Sequence, residues 1–292
     1  MSNAAAQTAV GPMVIIAVEQ SENPPLVRDE LAYRMLPSLG RFAVACTRWR
    51  PARRALIAAT EKKIPGLWAS MVCRKRYIDE KLLDAADGTA VGIDAVVVLG
   101  AGFDTRAYRL PGLAGIPVFE VDLPANIEAK RARLVKIYGE IPAAVTLVPI
   151  DFEAQSIADT LAQHGYRGDQ RTFFVWEAVT QYLSEDGVRK TFEFLAAAPP
   201  GSQLVFITYL RQDFLDGTVL YGGEAAYREF VQKRRLWHFG LLPEQVGGFL
   251  TPYGWTEVEQ AGPREFTARY LQPAGRVMPV SEIERCVHAV KQ

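Results

Sequence analysis

The chain has little with which to hold itself together by covalent or metal chemistry. Its 292 residues include three cysteines, Cys46, Cys73 and Cys286, far apart and without a CxxC spacing. An odd, scattered set excludes a disulfide framework and structural zinc, and it suits a reducing cytoplasm. The three histidines, His164, His238 and His288, are as dispersed, so no metal site is expected. Net charge is also missing, with 33 basic residues balanced by 33 acidic ones. A surface that tracks phosphates shows as a basic excess, so nucleic acid is not an expected partner. Local clusters such as Arg48, Arg50, Arg53 and Arg54 read as solvated helix faces. The apolar stretch at residues 9–18 is too short to span a bilayer, and no Lys or Arg precedes Arg28 to flank a secretory signal. A soluble, cytoplasmic protein is expected, with no membrane partner.

Apolar material is plentiful. Hydrophobic residues make up 49% of the chain and the mean hydropathy is +0.01, which excludes disorder and supplies one substantial core. From about Asp94, short β-branched runs alternate with helical stretches. The runs are 95–99 (AVVVL), 117–121 (PVFEV), 145–150 (VTLVPI), 172–176 (TFFVW) and 204–209 (LVFITY). Continuous apolar strands suit a parallel sheet covered on both faces. Between them, residues 124–138 and 184–197 carry helical spacing, the second opening on a capping Ser184 with acids in its first turn. The pattern predicts an α/β, doubly wound, mostly parallel Rossmann-like sheet.

Four regions are expected: helices over 1–90, an α/β core over 91–210, a lid insertion over 211–252, and a C-terminal hairpin and tail over 253–292. The hairpin is read from 255–260 (WTEVEQ) and 266–271 (FTARYL) around Gly262-Pro263, as two antiparallel strands added to one edge. The lid is read from the roughly 45 residues between Tyr209 and Trp255, too many for one crossover, and from their aromatics.

In open α/β sheets ligands sit beyond the carboxyl ends of the strands. Gly100 and Gly102 follow the first run and let a ligand approach the backbone. Asp122 follows the second, where an acid accepts from ribose hydroxyls. Thr105 stands where a dinucleotide fingerprint has its third glycine, which counts against an NAD-type oxidoreductase. Asp151-Phe152 after the third run suit an adenine, although Asp151 also suits the N-cap of a helix over 153–163. Glu177, at the mouth of the fourth run, needs a cationic partner to be buried. Upstream, Arg74 and Arg76 are each placed to clamp a carboxylate, with surface pairing to Asp79 or Glu80 as the alternative.

These elements coincide with a known family. VVVLGAGFDTRAYRL (96–110), FEVDLP (119–124), Asp151-Phe152 and WEAVTQYL (176–183) resemble the leucine carboxyl methyltransferase-like family of class I S-adenosylmethionine-dependent O-methyltransferases. The ending RYLQPAGR (269–276) resembles the last strand of members that methylate bacterial polyketide-type acids. The resemblance implies that Gly100 and Gly102 approach the methionine part of S-adenosylmethionine, Asp122 binds the ribose and Asp151-Phe152 the adenine. It implies Glu177 at the methionine amino group and Arg74 or Arg76 at its carboxylate. Many members carry Glu-Gly where this chain has Glu177-Ala178, and a hydrophobic residue where it has Gln181.

The expected reaction is esterification of a small carboxylic acid, with Arg76, Tyr77, Tyr209 or Arg211 orienting the acceptor. A carboxylate is already ionised at neutral pH and needs no general base. A phenol or alcohol acceptor would need one, for which His238 and Tyr182 are the candidates. Methylation of a protein C-terminus and a non-catalytic binding module are the remaining readings. The oligomeric state is not legible.

Overall fold

A computed structural model describes residues 10–88, 92–152 and 154–292, with the side chains of residues 207–209 outside the description. Among the described residues five helices come first: α1 (Val10–Glu19), α2 (Leu31–Met35), α3 (Ser38–Cys46), α4 (Arg50–Glu61) and α5 (Leu67–Ala86). Then β1 (Ala95–Leu99), α6 (Arg106–Arg109), β2 (Val118–Asp122), α7 (Pro124–Tyr138), β3 (Val145–Pro149), α8 (Ile157–Gln163), β4 (Thr172–Glu177), α9 (Glu185–Ala196) and β5 (Gln203–Arg211) alternate. A two-residue strand β6 (Gly240–Leu241), then β7 (Trp255–Ala261) and β8 (Glu284–Lys291), complete one sheet. Its order is β3-β2-β1-β4-β5-β8-β7, with β6 beside β5. β1 to β5 are parallel, and β8 lies antiparallel between β5 and β7.

The doubly wound sheet is thus as the strand pattern predicts. Successive strand residues point to opposite faces, and the two halves of the core divide on that parity. Val96, Val98, Phe173, Val175 and Val118 pack under the N-terminal helices. Ala95, Val97, Leu99, Phe174, Trp176, Phe119 and Val121 pack under α8 and α9. By the same parity Asp122 and Glu177 stand on the face that α5 covers. α5 is 20 residues long, about 30 Å at 1.5 Å per residue, so it runs the depth of the sheet and carries Arg74 to the strand ends. Strand order reverses between β1 and β4, which opens the crevice at Gly100 and Glu177.

Helix starts follow the sequence where a cap is local. Ser184 accepts the Gly187 N–H at 3.1 Å and opens α9, whose Val188, Phe192 and Leu195 are buried. Asp151 does not cap a helix over 153–163. The helix begins at Ile157, and Ser156 is its cap, accepting the Asp159 N–H at 3.2 Å.

The C-terminus corrects the expected hairpin. Residues 266–271 are helical, in the turns Pro263–Phe266 and Thr267–Leu271, and β7 pairs instead with Glu284–Lys291. Gly262 and Pro263 start a helix rather than turn a hairpin: the Glu265 carboxylate accepts the Gly262 N–H at 2.9 Å, and Pro263 sits in the first turn where its missing donor is harmless. Phe266, Tyr270 and Leu271 are then buried together at helical spacing. RYLQPAGR is therefore not the last strand. Its Arg276 reaches back to the buried Glu19 at 2.8 Å and ties the C-terminal segment to α1.

Among the described residues no helix is long and apolar enough to cross a membrane. The aromatics of the stretch after β5 divide between two places. Phe214, Tyr227, Phe230 and Trp237 form a cluster with Ile64 and Ile283, while Phe239 and Phe249 join the core beneath α9.

His288 on β8 is buried, with Nε2 2.9 Å from Gln203 Oε1 and Nδ1 unpartnered. Burial, reinforced by the Lys81 charge against a smaller opposing pull from Glu259, draws its pKa down to about 4. The unfolded chain takes up this proton near pH 6.5, so the group's contribution to stability is complete above 6.5 and declines as pH falls toward 4. The decline has a slope of up to about 1.4 kcal/mol per pH unit. Urea unfolding of His288→Gln should show a flatter pH dependence than the parent between these limits.

Candidate functional site

At the strand reversal lies a cavity of about 710 Å³. One end is polar and the other apolar. The polar wall contains Arg74, Lys75, Gly100, Gly102, Asp104, Asp122, Glu177 and Glu284. Glu177 is gripped by two guanidiniums: Arg74 Nε donates to Oε1 at 2.9 Å and Arg106 Nη1 to Oε2 at 2.8 Å. Arg74 also donates to Glu284 at 3.0 Å, and Arg106 to Asp79 at 2.8 Å and to Asp104. Lys75 lies 3.3 Å from Asp29, a carboxylate shared with Arg109 and with the Thr105 hydroxyl at 2.6 Å.

This network joins five carboxylates (Asp29, Asp79, Asp104, Glu177, Glu284) to four cations (Arg74, Lys75, Arg106, Arg109). One negative charge is in excess, before Asp122 is added beside it. Burial alone would raise the Asp104 and Glu177 carboxyls. The Arg106 guanidinium, helped by Lys75 at both and by Arg74 at Glu177, overrides it and holds both below the usual carboxylate range. Both are ionised at neutral pH and are poor bases.

Asp122 closes the end of β2. Its Oδ2 accepts the Gly102 N–H at 2.5 Å, and its Oδ1 accepts from Leu123 N–H and Asn126 Nδ2, each at 2.7 Å. A carboxylate offers about four acceptor sites, so capacity remains for a ligand hydroxyl. Asp151 and Phe152 are not on the cavity wall. Phe152 is buried under α8 and α9, while Asp151 follows Ile150, whose N–H donates to the Asp122 carbonyl at 2.8 Å.

Two backbone positions shape the mouth. Gly100 has φ +70°, and a Cβ there would overlap Val179 Cγ2. Ala178, just past Glu177, has φ +57°, a left-handed conformation that suits glycine. The family's Glu-Gly thus has a backbone reason, and alanine here carries strain of about 1 kcal/mol. Ala178→Gly should raise the unfolding free energy by about that amount, read from urea denaturation.

The residues expected to orient an acceptor lie elsewhere. Arg76 pairs with Glu80 at 2.8 Å and stacks over Tyr270. Tyr77 is fully buried and donates to Glu259 at 3.0 Å. Arg211 pairs with Asp213 at 2.8 Å. None of the three lines the cavity. Tyr209 has its backbone in β5, and its side chain lies outside the described residues. Of Arg74 and Arg76, the structure brings only Arg74 to the cavity. Arg106, Lys75, Asp104 and Glu284 were not singled out in the sequence. Arg106 and Asp104 had a signal, as charges inside the glycine-rich turn, where a buried charge demands a partner.

The apolar end is walled by α1 (Met13, Ile16), by Trp68 and Met71 of α5, and by Phe230 and Trp237, stacked with centroids 4.5 Å apart. Tyr182 is on this wall and His238 is not.

Residues 9–196 match the leucine carboxyl methyltransferase family. The chain belongs to that family. It is 27% identical over 274 residues to a Mycobacterium tuberculosis protein named "Putative S-adenosyl-L-methionine-dependent methyltransferase", covering 89% of this chain and 86% of the relative. A second mycobacterial protein of the same name, from Mycobacterium bovis, is 33% identical over 202 residues, 68% of this chain and 62% of the relative. Among solved structures, a Thermobifida fusca protein described as a "putative methyltransferase" superimposes with a TM-score of 0.57 at 19% identity, covering 82% of this chain and 88% of its own. A Bordetella parapertussis protein described as possibly exported gives 0.56 at 16% identity, covering 100% and 99%. These two establish the likeness of fold.

Proposed function

We propose that this protein transfers the methyl group of S-adenosylmethionine to a carboxylate oxygen of a small aromatic or polyketide-type acid. Family membership and the mycobacterial relatives make it an S-adenosylmethionine-dependent methyltransferase. The proposal concerns the acceptor and the residues.

The cofactor fits the polar end on charge and on donor set. It carries two positive groups and one negative, and the network has one carboxylate in excess, with Asp122 beside it. Glu177 spends two of its roughly four acceptor sites on arginines and has room for the methionine amino group. Arg74 takes the methionine carboxylate, Gly102 and Gly100 bring backbone close to the methionine chain, and Asp122 receives the ribose. Asp151 and Phe152 lie off the cavity wall, so the adenine is not assigned to them. Bound there, the cofactor supplies a methyl activated by a positive sulfur. The chain's own part is to hold that methyl against the acceptor, to exclude water with α1 and the stretch after β5 acting as a lid, and to leave the acceptor oxygen unprotonated.

The observation that carries the carboxylate reading is the state of Asp104 and Glu177. Asp104 and Glu177 are held ionised by arginine, so neither is poised to take a proton from a hydroxyl, and Asp122, whose carboxyl burial raises, spends both oxygens on Gly102, Leu123 and Asn126. A carboxylate acceptor asks for none. Orientation of two bound reactants contributes on the order of 7–11 kcal/mol of barrier lowering, enough for the site to work by alignment and desolvation. The Phe230–Trp237 stack and Trp68 suit an aromatic acid.

With Arg76, Tyr77 and Arg211 committed elsewhere, Arg234 is the cation on the wall outside the polar network, and its Nε lies 3.9 Å from Glu229. It orients the acceptor. Labelled methyl transfer to a panel of aromatic and aliphatic acids should give base-labile product, the mark of an ester. Base-stable product would indicate an ether and overturn the carboxylate reading. Arg234→Ala should raise the acceptor KM about tenfold while leaving S-adenosylhomocysteine binding unchanged.

A further inference from the structure

A second pocket, of about 330 Å³, opens where α2 and the start of α3 meet the second half of α7. Arg34, Arg41, Arg133 and Lys136 converge on it over a floor that includes Leu36 and Ile137. Among the described residues, none of the four forms an ion pair with a carboxylate. Their protein partners are carbonyls: Arg34 donates to Ile137 O at 3.4 Å and Arg133 to Ala129 O at 3.0 Å. Arg41 and Arg133 are half-buried and Arg34 and Lys136 exposed, in a chain with equal numbers of acids and bases whose buried cations Arg74, Lys75, Arg106 and Lys130 all pair with carboxylates. The carbonyl end of α7 accounts for Lys136 and partly for Arg133. It does not account for Arg34 and Arg41, which arrive from other elements. Burial, and then the neighbouring Arg41 charge, weaken the hold of Arg133 on its proton, so the like-charge crowding is unrelieved.

We propose that this pocket binds a phosphate group at a site separate from the cofactor cavity. Guanidinium forks match phosphate oxygens two at a time, and a bound anion would relieve the repulsion that the folded chain otherwise bears. The assignment does not rest on the methyl acceptor or on the cofactor's placement. The two sites touch where the Arg133 guanidinium stacks 4.2 Å over the ring of Phe103, which lines the cofactor cavity. Filling the pocket therefore acts on the loop after β1. Two sources share this chemistry, a soluble phosphate ester and a lipid headgroup. Leu39 and Phe42 flank Arg41 on α3 at 80% and 69% exposure, a suitable apolar border for the second.

Inorganic pyrophosphate, titrated calorimetrically at low salt with S-adenosylhomocysteine in excess, probes the first source. Sedimentation with phosphatidylcholine vesicles, with and without phosphatidic acid, probes the second. Saturable binding in either arm is expected, weakened about tenfold or more in Arg41→Gln/Arg133→Gln. The Arg41→Lys/Arg133→Lys variant, which keeps charge but loses the fork, should recover part of it. Binding in one arm alone identifies the source. If neither probe binds, or if Arg41→Gln/Arg133→Gln and Arg34→Gln/Lys136→Gln both bind as tightly as the parent, the site does not exist.

Discussion

Gly100→Ala should destabilise the fold by about 2–5 kcal/mol, combining left-handed strain with the overlap of a new Cβ on a buried valine. The residue has φ +70° at the carboxyl end of β1, where its N–H donates to the Val121 carbonyl at 2.8 Å. It cannot relax without disturbing this contact at the end of the β1–β2 ladder. The obstacle is Val179 Cγ2, on a short, buried side chain whose β-branching restricts its rotation. Val179→Ala in the same chain should remove the overlap but not the strain, recovering part of the loss. Because Gly100 and Val179 both line the cavity, cofactor affinity should fall with the single substitution and return partly with the double one. Chemical denaturation and calorimetric titration of the four proteins in the cycle measure both effects.

Glu177→Gln has the largest expected effect on binding. The substitution keeps shape and removes the charge shared by Arg74 and Arg106, both buried. It also takes the anionic partner from the ligand's ammonium, and losing one partner of a buried, hydrogen-bonded charge pair costs about 2–5 kcal/mol. Affinity for S-adenosylhomocysteine should therefore fall by roughly thirtyfold to several thousandfold. The excess negative charge around the cavity also falls by one, so the sulfonium-bearing S-adenosylmethionine should lose more than its demethylated product. Asp79 and Asp104 remain on Arg106, and Glu284 on Arg74, so the chain keeps partners for both cations and should still fold. An affinity within threefold of the parent would remove Glu177 from the site.

Much of the fold was legible because it is written locally. Strand runs such as 95–99 and 172–176 are continuous and apolar, and Ser184 announces α9 by a contact three residues away. The glycine turn and Glu177 were legible because strand ends position ligands in this architecture. The partners of Glu177 were not. Arg74 is 103 residues away in sequence and Arg106 is 71 away, while Glu284, the other partner of Arg74, is 210 from Arg74. No periodicity encodes such distances. Parity would have gone further: Asp122 and Glu177 share a face with Val118 and Val175, which is the face a preceding helix must cover.

Residues 266–271 were misread for a different reason. Phe266, Tyr270 and the β-branched Thr267 suit a strand by propensity, and Gly262-Pro263 suits a turn. The same Gly-Pro-x-Glu also satisfies the start of a helix, and burial of Phe266, Tyr270 and Leu271 against α5 decides between them. The acceptor-orienting residues failed similarly. Arg76, two residues on from Arg74, points to another face and onto Glu80, while Tyr77, three residues on, lies a turn further along the helix and is buried onto Glu259.

The most direct test is a crystal structure with S-adenosylhomocysteine bound. The account places its amino group within hydrogen-bonding distance of Glu177, its carboxylate on Arg74 and its ribose hydroxyls on Asp122, all inside the cavity between β1 and β4. A nucleoside seated anywhere else, or an amino group facing away from Glu177, would contradict it.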